Sequence, residues 1–184
     1  MKSYDYAHRE GIRPINWEEF EQLYRQISEK LAHEEVEAVV GIGRAGLFAA
    51  TGVAGSLRCM LFPVSLSRRV NDEVVYEKPL WHVDVCPEVK DKVVAVVDEI
   101  ADSGETLALV AERVKTLGAK RVLTACLVRH SWAQPVPDVV GLVSDALVIF
   151  PWDHSVYIDG QWQMHPETVG AIKLQDGKQP KNSD

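Results

Sequence analysis

Between Trp17 and Leu31 apolar side chains recur at intervals of three and four, with Phe20, Leu23, Tyr24 and Ile27 completing the stripe. That spacing predicts one amphipathic helix. Asn16 precedes it and Glu19 follows three positions later, as in a capping box whose side-chain oxygen takes an orphan amide of the first turn. Residues 36–42 are short and rich in valine, and a glycine loop separates them from 47–57, where small side chains suit a helix packed closely on a sheet. This reads as strand, loop and helix. A second strand is expected over 60–66, followed by a charged stretch over 67–80 whose lack of periodicity predicts a mobile surface loop. Residues 93–97 form an uninterrupted apolar run, and after an acidic, glycine-containing turn Leu107, Val110, Ala111, Val114 and Leu117 fall at helical spacing before Gly118. Residues 122–128 predict a further buried strand, and 139–150 one or two more before Pro151. Alternation of strand and helix predicts an α/β fold, a parallel central sheet flanked by helices.

Composition narrows the class. At 184 residues, 46% apolar and 26% charged, the chain fits one globular domain that needs no disulfides. Twenty basic against twenty-seven acidic side chains give a net charge of −7, which opposes a broad surface for nucleic acid, so any anion site must be local. Cys59, Cys86 and Cys126 are odd in number and spaced 27 and 40 apart, neither a disulfide framework nor a zinc pattern, and are read as reduced thiols. The N-terminal residues lack an apolar signal region and no run of eighteen apolar residues occurs, so a cytoplasmic protein without a membrane span is expected.

Two loops are candidates for holding phosphate. Gly41-Ile42-Gly43-Arg44-Ala45-Gly46 matches the G-x-G-x-x-G dinucleotide fingerprint between a predicted strand and helix. A nicotinamide enzyme also needs an acid about 20 residues on for the ribose diol, yet none occurs between Glu37 and Asp72. A tight turn that merely requires glycine would explain the same residues. The second loop is more specific. A buried strand delivers Asp98 and Glu99 to its carboxyl end, where ligands bind in open α/β sheets and paired carboxylates can accept from a vicinal diol. Asp102-Ser103-Gly104-Glu105-Thr106 then leads into a helix N-terminus, so that amides, helix dipole and hydroxyls can face a monophosphate. No lysine follows the last glycine, so the Walker pattern is absent. A plain helix cap is the alternative.

Residues 93–107 resemble the 5-phosphoribosyl 1-pyrophosphate (PRPP) motif of the type I phosphoribosyltransferases, a strand ending in two acids before D-[ST]-G-x-T. The resemblance runs from Trp17-Glu18-Glu19-Phe20 to Phe150-Pro151-Trp152-Asp153 and looks nearest to the hypoxanthine and xanthine-guanine branch. It implies one phosphoribosyltransferase domain over 1–172, with a small hood from the N-terminal segment and about 129–165, and a polar tail over 173–184. It also implies transfer of phosphoribose from PRPP to a purine base, 6-oxopurines favoured, releasing pyrophosphate and a nucleoside monophosphate in purine salvage, with Mg²⁺ and as a homodimer. Asp98 and Glu99 would grip the ribose hydroxyls, and with Asp153 are the metal candidates. Asp102 would be the general acid/base. Asp102, Ser103, Gly104, Glu105 and Thr106 would hold the 5-phosphate. Gly43, Arg44, Ala45 and Gly46 would hold pyrophosphate, in the family often through a non-proline cis peptide that falls here between Gly43 and Arg44. Arg68 and Arg69, in the stretch matching the family's closing loop, would touch pyrophosphate too.

The departures lie where the base is read. His130, with Arg129 before it, stands where close relatives carry a lysine that donates to the 6-oxo group. Leu147, followed by Val148, stands where several carry a stacking aromatic. His130 and Leu147 are equally readable as a surface histidine and a core leucine. The rival class is a non-catalytic sensor of PRPP or nucleotide on the same fold.

Overall fold

The computed structural model describes residues 9–176 except positions 68, 71, 72, 77 and 78. In chain order the elements are β1 (Ile12–Pro14), α1 (Trp17–Ala32), β2 (Ala38–Gly43), α2 (Gly46–Leu57), β3 (Met60–Ser67), β4 (Arg69–Val70), β5 (Glu73–Val74), β6 (Leu80–Val83), β7 (Val93–Ala101), α3 (Glu105–Thr116), β8 (Arg121–Arg129), β9 (Val139–Val143), β10 (Leu147–Ile149), β11 (Ser155–Ile158), β12 (Gln161–Met164) and α4 (Pro166–Asp176). A 3-10 turn, Pro87–Val89, precedes β7. Contacts divide the chain into one unit of Glu21–Ser144 and another drawn from Lys2–Phe20 and Asp145–Asp184.

The first unit is built on a six-stranded sheet in the order β6-β3-β2-β7-β8-β9. All neighbouring pairs are parallel except β3 with β6. The expected parallel sheet is therefore present, with one antiparallel edge. Residues 80–83 show too little alternation to announce a strand, and pairing with β3 supplies it. β2, residues 93–97 of β7 and the middle of β8 are mostly buried, small or aliphatic residues because both faces of the sheet are covered. On one face Val40, Val94 and Val96 meet Val110, Ala111 and Val114 of α3. Each of these valines, fully buried, contributes roughly 1.5–3 kcal/mol of transfer free energy.

The chain leaves β2 through α2 toward β3 on one side, and leaves β7 through α3 toward β8 on the other. The carboxyl ends of β2 and β7 thus form the switch point at which open α/β sheets bind ligands. Pairing of β2 with β7 stops at Gly41↔Val97, while β7 continues beside β8 to Ala101↔Arg129. β7 is four residues longer than the apolar run that predicts it, because Asp98 to Ala101 stay in the ladder with β8.

In the second unit β1 pairs in parallel with β10, and Trp17, Phe20, Phe150 and Trp152 pack as an aromatic cluster in which Phe150 and Trp152 stack at 4.9 Å. The capping residue behaves as expected: Asn16 Oδ1 accepts from the Glu19 amide at 2.8 Å. The Glu19 carboxylate closes no box, because it pairs with Arg13 instead. The later stretch of this unit starts at Asp145, and residues up to Val143 belong to the six-stranded sheet through β9. α4 runs from Pro166, at its first position, through Lys173 to Asp176. No described helix is long and apolar enough to cross a membrane.

Candidate active site

The loop from β2 into α2 rises against the end of β7. Built on Gly46, a Cβ would stand 2.5 Å from Asp98 Oδ1 and 2.9 Å from Asp98 Cα, so only glycine permits this approach. Gly43 and Arg44 are joined by a cis peptide, where the resemblance implies one. Arg44 is exposed, Ala45 half-buried, and α2 starts at Gly46 with no side-chain cap on its first amides. The Leu47 and Phe48 amides donate to Arg44 O and Ala45 O, so an anion placed there meets the positive end of the helix dipole and one guanidinium.

Asp98 is buried and Glu99 half-buried. Burial pushes the Asp98 carboxyl well above the usual carboxylate range, and the charge of Glu99 and a hydrogen bond with its side chain push the same way. The Glu99 amide, donating to Asp98 Oδ1 at 2.9 Å, opposes them. Such a pair is costly to keep doubly ionised and gains from hydroxyl donors or a cation. Its hard oxygen donors suit Mg²⁺. Among the described residues no three His, Cys, Asp or Glu gather as a metal group, and Asp153 lies in the second unit, its amide on Phe150 O.

The second loop begins where β7 ends. Asp102 is half-buried; Ser103, Glu105 and Thr106 are exposed; Gly104 is buried at φ +86. Ser103 Oγ accepts from the Glu105 amide at 3.3 Å, and Gly104 O takes the Ala108 amide to open α3. A Cβ on Gly104 would fall 2.8 Å from backbone atoms of Gln134 and Pro135. The first unit therefore brings together Gly43–Gly46 with the acid pair, and carries Asp102–Thr106 directly after it.

The other sequence candidates fall as follows. Arg68 lies outside the described residues, and Arg69 opens β4, paired with Val74. Arg129 ends β8 half-buried and donates to Ser131 O. His130 is 1% exposed, so the surface alternative for it is wrong; Nδ1 lies 2.5 Å from Ser144 O, and Trp132 stacks on the ring at 4.7 Å. Leu147 and Val148 are half-buried on β10 of the second unit, and Leu147 is accordingly no core residue. Sequence reasoning missed Trp132, whose Nε1 donates to Asp102 Oδ1 at 3.4 Å. The available signal was its place, a large aromatic just beyond the carboxyl end of a strand next to β7.

A family model described as the phosphoribosyl transferase domain matches residues 16–158. The chain belongs to this family. Among solved structures, the phosphoribosyltransferase chain is similar to a purine phosphoribosyltransferase from Pyrococcus horikoshii, at 29% identity over 80% of this chain and 98% of that one, with a TM-score of 0.71. A Neisseria gonorrhoeae protein with bound ppGpp shares the fold at 19% identity, covering 92% of this chain and 98% of that one, with a TM-score of 0.68. A hypoxanthine-guanine phosphoribosyltransferase from Bacillus anthracis does so at 19% identity, over 70% and 79%, at 0.58. No curated protein matches the chain significantly. Family membership makes the nicotinamide reading of Gly41–Gly46 unnecessary.

Proposed function

We propose that this phosphoribosyltransferase moves the 5-phosphoribosyl group of PRPP onto a purine base, with 6-oxopurines favoured, as a step of purine salvage. The observation that carries the reading is the acid pair at the end of β7, pressed against Gly46 on one side and followed by the amide loop of α3 on the other. The Pyrococcus relative, a purine phosphoribosyltransferase, supports the purine half.

Each residue has one task in this reading. Ser103 to Thr106 bind the 5-phosphate with backbone amides and hydroxyls at the start of α3. Asp98 and Glu99 accept from the ribose hydroxyls. The same carboxylates would hold Mg²⁺, which when bound supplies charge neutralisation to the pyrophosphate. Gly43 to Gly46 and Arg44 bind the leaving group where its negative charge develops. A bond forms between a base nitrogen and C1 of the ribose as the C1–O bond breaks; pyrophosphate departs with the electron pair, and the proton of the base passes to Asp102.

Base reading by His130 is the part with least support, because a ring 1% exposed presents almost no surface to a base. Arg129 and backbone near Val148 are the other candidates. A sensor that binds PRPP or nucleotide without turnover is the rival reading on the same fold. Ligand specificity tests the shared part of both: PRPP with Mg²⁺ is expected to raise Tm, by an amount set by RT ln(1 + [L]/Kd), and NAD or NADP to leave it unchanged. A shift with a dinucleotide and none with PRPP would overturn the assignment.

A further inference from the structure

We propose that Trp132 is a positioning residue whose indole N–H orients the Asp102 carboxylate, with the buried His130 fixing the indole in turn. What Asp102 does rests on the phosphoribosyl-transfer reading; the contact itself does not.

The two loops concerned leave neighbouring parallel strands, β7 and β8, at their carboxyl ends. They are joined along their length. His130 donates its amide to Ala101 O at 3.1 Å, and the Gln134 amide donates to Ser103 O at 2.8 Å. Between those two bonds, Trp132 Nε1 reaches Asp102 Oδ1. Beneath the indole lies His130, held through Nδ1 by Ser144 O, with the two rings only 14° from parallel. Since Ser144 O is a carbonyl acceptor, Nδ1 must carry the proton, which fixes the ring's orientation. Trp132 itself remains 42% exposed. Its apolar body packs on the imidazole while its polar edge, the indole N–H, is turned to a carboxylate beside the candidate ligand site. A donor on one carboxylate oxygen restricts rotation of the group that, in the proposed reading, exchanges a proton with the base. At 3.4 Å the bond is long, and its effect is correspondingly modest.

Trp132→Phe keeps an aromatic ring over His130 and removes the donor. With PRPP, Mg²⁺ and hypoxanthine, kcat is expected to fall about 3–10-fold while KM for PRPP stays within about twofold. In the Asp102→Ala background the same change should have no further effect on kcat, because the group it acts through is gone. Equal losses in both backgrounds, or an undiminished kcat in the single variant, overturn the proposal. A readout without turnover separates this from the functional reading: the Trp132 indole N–H resonance, identified as the one lost in Trp132→Phe, should shift in Asp102→Ala. An unmoved resonance overturns the contact even in an active enzyme, and a moved one in a protein that turns over no base supports the contact while overturning the reading of function.

Discussion

Asp98 is buried at a strand end beside a second carboxyl, and its ionised form is disfavoured first by burial and then by Glu99. Such a group costs stability in the ligand-free protein and repays it only when something donates to it. Asp98→Asn, similar in shape and uncharged, is therefore expected to raise Tm, at ~2–4 °C for each kcal/mol relieved in a protein of this size, while weakening PRPP binding. Gly46→Ala should do the opposite to stability, since its Cβ would fall 2.5 Å from Asp98 Oδ1, and overpacking of this kind typically costs about 1–3 kcal/mol. Thermal melts and PRPP titrations of the two variants check both. A lower Tm in Asp98→Asn with unchanged PRPP affinity would contradict the assignment. At this scale the candidate site was legible because acids that can accept from a diol and the glycine and hydroxyls of a helix start that can hold phosphate are adjacent in sequence, Asp98 to Thr106. Trp132 was not, since it meets Asp102 only through the pairing of β7 with β8.

At the scale of elements, the segment after β6 is tied to α3 by Asp84, which accepts from Arg113 Nε at 2.9 Å and Nη2 at 2.5 Å. The hydrogen bonds from Arg113, with a smaller part from the Val85 amide, hold the Asp84 carboxyl below its ordinary value. A folded-state value that is depressed gives stability present above the unfolded value of ~3.9 and lost as pH falls through the folded one. Asp84→Asn should accordingly lower Tm slightly at pH 7, with the gap closing toward pH 3. A gap that widens on acidification would refute the pairing; both side chains are largely exposed, so the effect is small. Elements with strong periodicity, such as α1 and α3, were legible to within a turn, whereas β6 depends on a partner that no local pattern reveals. The β11–β12 hairpin carried a local signal that went unread: Asp159-Gly160 is a two-residue turn with both φ positive, joining Ile158↔Gln161.

Across the whole molecule, a net charge of −7 leaves no general field to draw in a polyanion such as PRPP. In the proposed reading its phosphates are met by local groups at two helix starts, α2 beside Arg44 and the Ser103–Thr106 start of α3. The fold class followed from alternating strand and helix because a parallel sheet imprints continuous apolar runs on its strands. Base identity did not follow, since residues 129–130 and 147–148 are set by how loops pack and not by a motif. The central claim is catalysis, and its most direct measurement is the joint yield of pyrophosphate and nucleotide from PRPP, Mg²⁺ and a panel of adenine, hypoxanthine, guanine, xanthine and pyrimidines. Equal amounts of the two products are expected with at least one 6-oxopurine, reduced about 10²–10⁴-fold in Asp102→Ala. PRPP binding with no base-dependent pyrophosphate release from any member of the panel would contradict the account and leave the protein a sensor.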